Sequence, residues 1–161
     1  MTAMIATRIG FPTIEEINSL SSMRGIAYKE GYKYQLVADY VVRTPVRPPR
    51  NIITDWFALT TEGVLYVFKG YAWDGASGPT WDTDSSMRPS LIHDCFCQMM
   101  KERLIDYRTW EKTVHQQFHD HCIEDGMWPF RASLWHSGVI IGQGGNPDNP
   151  DDNPVLHAPK E

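Results

Sequence analysis

From Tyr32 onward apolar and polar positions alternate: Tyr34, Leu36, Ala38, Tyr40 and Val42 share one side, Lys33, Gln35, Val37, Asp39 and Val41 the other. A period of two in residues that favour extended backbone predicts a strand. Pro45, Pro48 and Pro49 cannot donate to a ladder, so the stretch from Pro45 to Arg50 reads as a connection. Ile52 to Leu59 is expected to form a second strand, Thr60-Thr61-Glu62-Gly63 a turn and Val64 to Trp73 a third strand. Together these predict an antiparallel meander.

After Asp74 the pattern changes. Gly75, Gly78 and Pro79 end the strands, and apolar residues then recur at helical spacing. Pro89 suits the first turn of a helix, with Leu91, Cys95 and Met99 beside Ile92, Phe96 and Met100 as two apolar rows running to about Arg103. A second helix is predicted from Tyr107 to Glu124, carrying Trp110, Val114, Phe118 and Cys122 on one face and closed by Gly126. Pro129 opens a third, running to about Ile141. Near the N-terminus, Thr13-Ile14-Glu15-Glu16 has the form of a capping box, which predicts a short helix from Ile14 to Leu20. The fold expected is α+β: a small antiparallel β-meander packed against two or three C-terminal helices, with flexible termini. Residues 1–31 form an N-terminal extension, 32–142 the compact domain, and 143–161 a tail rich in Gly, Pro, Asn and Asp that is disordered or ordered by a partner.

Composition narrows the picture. The 161 residues, 42% hydrophobic and 22% charged, suffice for one domain with a sizeable core and exclude a fibrous or wholly disordered chain. A net charge of -5 without a basic run argues against general nucleic-acid binding. Cys95, Cys97 and Cys122 cannot all pair, which suggests a reducing compartment. No apolar run approaches the roughly 20 residues of a spanning helix, so membrane insertion is not expected. The opening MTAMIATRIG is too short and broken for a secretory signal, and a cytoplasmic product is expected.

Candidate chemistry concentrates in the loop Trp73 to Pro79, with Asp74 and Ser77, and in the helical segment Ser90 to Asp94, with His93 and Asp94. If the loop ends beside the helix, Asp74, His93 and Asp94 converge as carboxylate and imidazole groups suited to metal binding or proton transfer. The structural alternative is that Asp74 and Ser77 fix a turn, while His93 and Asp94 satisfy buried backbone. His115 and His119 share a helical face, but Gln116 stands where the zincin motif needs its glutamate, so metalloprotease chemistry of that kind is unsupported. Cys97 follows His93 by one turn, close enough for a thiol-imidazole pair, whereas Cys95 falls on the apolar row of the core.

Gly70-Tyr71-Ala72-Trp73-Asp74-Gly75-Ala76-Ser77-Gly78-Pro79-Thr80, then Met87-Arg88-Pro89-Ser90-Leu91-Ile92-His93-Asp94, resemble the phage and prophage family of domain of unknown function 1353. A weaker likeness continues through Glu124-Asp125-Gly126-Met127. The resemblance implies a bacteriophage or prophage origin and a domain of strands followed by helices, and it supplies no reaction. Asp74, Ser77, His93 and Asp94 match recurring positions of the family, while His115 stands where a second-helix Asp is usual. Three functional expectations follow. The first is a phage accessory protein, made in the host cytoplasm and joining the virion or its assembly through other phage proteins. The second is a hydrolase in which Asp74, His93 and His115 hold a divalent metal, with Asp94 as base or orienting group and Ser77 positioning substrate. The third is an acidic inhibitor of a host system.

Overall fold

A computed structural model of the chain describes residues 12–23, 25–26, 28–29, 34–75, 83–142 and 145–148. Its elements are α1 (Ile14–Ser19), β1 (Tyr28–Lys29), β2 (Tyr34–Leu36), β3 (Tyr40–Arg43), β4 (Ile52–Ile53), β5 (Phe57–Leu59), β6 (Val64–Val67), β7 (Ala72–Trp73), α2 (Asp84–Lys101), α3 (Tyr107–Glu124) and α4 (Pro129–Ile141). Antiparallel strands precede helices, and the chain is α+β.

The strand pattern is more divided than the alternation predicts. The run from Tyr34 to Val42 bends at Val37-Ala38, so that β2 and β3 enter different sheets. Asp39 holds the bend: its carboxylate accepts the Lys69 amide at 2.7 Å and the Tyr66 hydroxyl at 2.7 Å. The predicted third strand is interrupted as well. Phe68 to Tyr71 makes a tight turn closed by the Tyr71 amide on the Phe68 carbonyl at 3.1 Å, with Gly70 at φ 99°. Only glycine takes that conformation readily.

The result is two antiparallel sheets, ordered β1-β2-β7 and β3-β6-β5-β4, in place of a single meander. In the second sheet β4, β5 and β6 are consecutive neighbours, while β3 returns to pair with β6, the order of a Greek key. The expected β5–β6 hairpin forms, its turn ending at Gly63 with φ 78°. Every residue of β5 and β6 is buried, so both faces of these two central strands are covered, whereas Arg43 of β3 and Ile53 of β4 are exposed.

The chain divides into two compact units, Met1–Asp82 and Thr83–Glu161. In the first, the N-terminal helix is part of the core and no appendage. The Thr13 hydroxyl accepts the Glu16 amide and the Glu16 carboxylate accepts the Thr13 amide, the predicted capping box. This sets Ile17 against Val41, Ala58, Val64, Tyr66 and Phe68, with Ile14 packed alongside.

In the second unit α2 begins earlier than Pro89 suggests. Asp84 opens it, and the Ser86 hydroxyl accepts the Thr83 amide at 3.0 Å. Pro89 therefore lies in the second turn of a helix that continues past it. Both interhelix corners are left-handed. Arg103, at φ 57°, follows α2, and the Leu104 amide returns to the Met99 carbonyl at 2.8 Å. Gly126, at φ 88°, follows α3 as predicted, with the Met127 amide on the Cys122 carbonyl at 2.9 Å. Asp106 caps α3 by accepting the Thr109 amide at 2.7 Å, and Pro129 opens α4. The start of the tail is ordered on this unit. Gly145 is buried against the backbone of Cys97, and Arg103 donates to Asp148 at 2.9 Å. The tail from 149 to 161 lies outside the described residues. Among the described residues no helix is long and apolar enough to cross a membrane.

Candidate functional site

Two antiparallel helices joined by a tight corner face each other along their length, so matched positions on α2 and α3 meet. His93 and Cys97 are one turn apart on α2 and share a face. On α3, Tyr107, Glu111 and His115 follow the same four-residue spacing.

His93 lies at the centre of the arrangement. Its Nε2 is 3.0 Å from His115 Nδ1, and its Nδ1 is 3.6 Å from Cys97 Sγ. The Asp94 carboxylate stands 3.9 Å from His93 Nδ1, an ion-pair contact longer than a hydrogen bond. Phe118 packs on the His93 ring, with centroids 5.0 Å apart, and Trp135 of α4 stacks on Phe118 at 6.3 Å. Both imidazoles are buried, while Cys97 and Asp94 are half-buried. One hydrogen bond between the rings needs one donor and one acceptor nitrogen, so the pair is satisfied with at least one ring neutral.

The electrostatics divide the two rings. Burial opposes a charge on His93, but the neighbouring Cys97 and Asp94 outweigh it and raise its pKa to about 10. Burial and the neighbouring His93 push His115 down to about 4, against a smaller upward pull from Glu111. His93 is thus the ring that carries the proton and His115 the neutral acceptor. Tyr107 is pushed up to about 12 by burial, Glu111 and Cys97.

A second polar contact closes the other end of the helix pair. Arg88, buried in α2, donates through Nε and Nη2 to both Asp125 oxygens at 2.8 to 3.1 Å, and through Nη2 to Glu124 at 2.9 Å. The fork-to-carboxylate geometry is the strong form of this interaction. Burial and this guanidinium together keep the pKa of His121 low.

Of the residues singled out in the sequence, His93, Asp94 and His115 come together, and Cys97 joins them. Asp74 follows β7 in the first unit and is exposed, whereas the two histidines belong to the second. Ser77 lies outside the described residues. Among the described residues no group of three or more His, Cys, Asp or Glu is arranged to hold a metal ion. The nitrogens that would face one are hydrogen-bonded to each other. His119 instead contacts Asp120 at 3.1 Å and the His136 ring, with centroids 5.6 Å apart.

The Arg88 contact was not anticipated, although its parts were visible in the sequence. An antiparallel helix pair sets the start of one helix beside the end of the other, where Arg88 and Glu124-Asp125 stand. Compared with known proteins, the chain matches no family model, no curated protein and no solved structure.

Proposed function

We propose that this chain is a bacteriophage-encoded accessory protein that works as a virion or assembly component, binding another protein of the particle through α4. The observation that carries this reading is the outer face of that helix. Trp128 is 81% exposed, Phe130 77% and Ile141 81%, and Leu134 and Ile140 are also exposed. Phe130, Leu134 and Ile141 recur at helical spacing, so they form a stripe along the helix. A contiguous apolar surface of this kind on a small domain is characteristic of an interaction site. Trp and Arg are the residue types enriched at protein–protein hot spots, and Trp128 and Arg131 flank the stripe. The occupant that suits it is an apolar groove on another particle protein, which an amphipathic helix fills through residues at this spacing.

The motif resemblance supports the phage origin, and the His93–His115 and Arg88–Asp125 contacts support a structural role for the polar residues, since each ties α2 to α3. Quantitative mass spectrometry of purified particles tests the reading. Stoichiometric copies are expected, with incorporation lost in a Phe130→Asp/Leu134→Asp variant that still folds. Absence from particles and from assembly intermediates overturns it. Binding of the purified protein to lipid vesicles, abolished by the same substitutions, assigns the face to a membrane surface and also overturns it.

A further inference from the structure

We propose that His119 of α3 and His136 of α4 form a two-histidine site for a divalent transition-metal ion, with Asp120 orienting the first imidazole. The two rings come from different helices and meet with centroids 5.6 Å apart at an interplanar angle of 61°. Two imidazole nitrogens each about 2.1 Å from one ion put their ring centroids about 5 Å apart at the tetrahedral angle and about 6 Å apart at wider angles. The observed separation falls between those limits, which is the spacing one shared ion requires.

Hydrogen bonding assigns the lone pair on His119. An ionised carboxylate only accepts, so His119 Nδ1, 3.1 Å from Asp120 Oδ1, carries the proton and donates it. In the neutral ring Nε2 is then the bare nitrogen, the form in which imidazole binds a metal. Gln116 donates to the same Asp120 oxygen at 2.9 Å and fixes the carboxylate in turn. A carboxylate behind the imidazole is the usual support of a metal-binding histidine, setting both its tautomer and its orientation. His136, opposite, makes its ring contact with His119 and no hydrogen bond among the described residues.

Access separates this pair from the other described histidines. His93, His115 and His121 are buried, and the first two are bonded to each other, whereas His119 and His136 are half-buried. Two protein ligands are fewer than a closed structural centre has, and water completes the coordination. Nitrogen donors select Zn²⁺ or Ni²⁺ over Mg²⁺ and Ca²⁺, which prefer oxygen. The bound ion staples α4 to α3, independently of what covers the outer face of α4.

The test is titration of the whole folded chain with Zn²⁺, Ni²⁺ or Mg²⁺ alone, read by calorimetry and thermal melts. One equivalent of Zn²⁺ or Ni²⁺ is expected, with a raised melting temperature, and no response to Mg²⁺. His119→Ala and His136→Ala each abolish the binding, Asp120→Ala weakens it by about tenfold or more, and His157→Ala in the tail leaves it unchanged. Proton–nitrogen correlation spectra of the histidine rings decide on the native chain alone, should a variant fail to fold. Before metal is added His119 is expected as the Nδ1–H tautomer, and Zn²⁺ shifts ring nitrogens of His119 and His136 and of no other histidine. No binding, binding that survives either histidine substitution, loss of binding in His157→Ala, or Zn²⁺ shifts centred on His93 and His115 each overturns the proposal.

Discussion

Arg88 ties the start of α2 to the end of α3 through a buried charge. A buried guanidinium with its carboxylates in place is satisfied, and removal of one side leaves a buried charge uncompensated. Asp125→Ala is expected to lower stability by about 3 kcal/mol in urea titrations, whereas Arg103→Ala, which breaks an exposed pair with Asp148, costs less than about 1 kcal/mol. His115 gives a pH-dependent signature. Its folded pKa of about 4 lies below the ordinary 6.5, so the unfolded chain binds more protons between those values. Stability is fully present above pH 6.5 and falls as pH drops toward 4, by about 3 kcal/mol from this group. His93, raised to about 10, behaves oppositely, and its contribution is lost as pH rises through that value. Thermal melts of the native chain and His115→Gln from pH 7.5 to 4 separate the His115 part, which the variant lacks. At this scale the sequence showed that His93 and Cys97 share a helical face, since a four-residue spacing is local. It did not show that His115 meets them, because that partner is chosen by helix packing across the corner at Arg103.

Elements end where backbone chemistry requires it, and the clearest of those endings were readable. Thr13 with Glu16, Gly126 and Pro129 each marks a boundary through its own backbone or hydrogen-bonding preference, and each stands where that preference places it. Pro89 misled because the penalty for proline inside a helix is weighed against burial. The residues around it, from Ser86 to His93, are buried, and that packing holds the helix through the proline. The strands misled for a related reason. Alternation predicts extended backbone but not where it bends, and the Asp39 bonds to Tyr66 and Lys69 cross some thirty residues of sequence. Glycines give the sharpest tests here. Gly126→Ala forces a side chain into the left-handed region with open space around it, and is expected to cost about 1 kcal/mol. At Gly63 the added methyl also collides with the Thr44 carbonyl, so Gly63→Ala costs more than Gly126→Ala in the same urea titration.

For the molecule as a whole, the exposed stripe on α4 separates stability from function. Because Phe130 and Leu134 lie mostly in solvent, Phe130→Asp/Leu134→Asp is expected to change unfolding free energy by less than about 1 kcal/mol while removing the proposed partner's apolar anchor. Calorimetry alongside particle incorporation checks both halves. The α+β class was legible at this scale because periods of two and of about four occupy different stretches of the chain. The division into two sheets was not, since strand order depends on distant pairings and leaves no periodic trace.

The return of β3 to the side of β6 has a consequence for biosynthesis. A ribosome delivers Tyr40 to Arg43 well before Val64 to Val67, and in the finished sheet each residue of the earlier strand is matched to one of the later. The nascent chain must therefore keep Tyr40, Val41 and Val42 from other mates until the complementary strand has cleared the exit tunnel. Pro45, Pro48 and Pro49 sit immediately downstream, where they discourage a premature ladder from spreading.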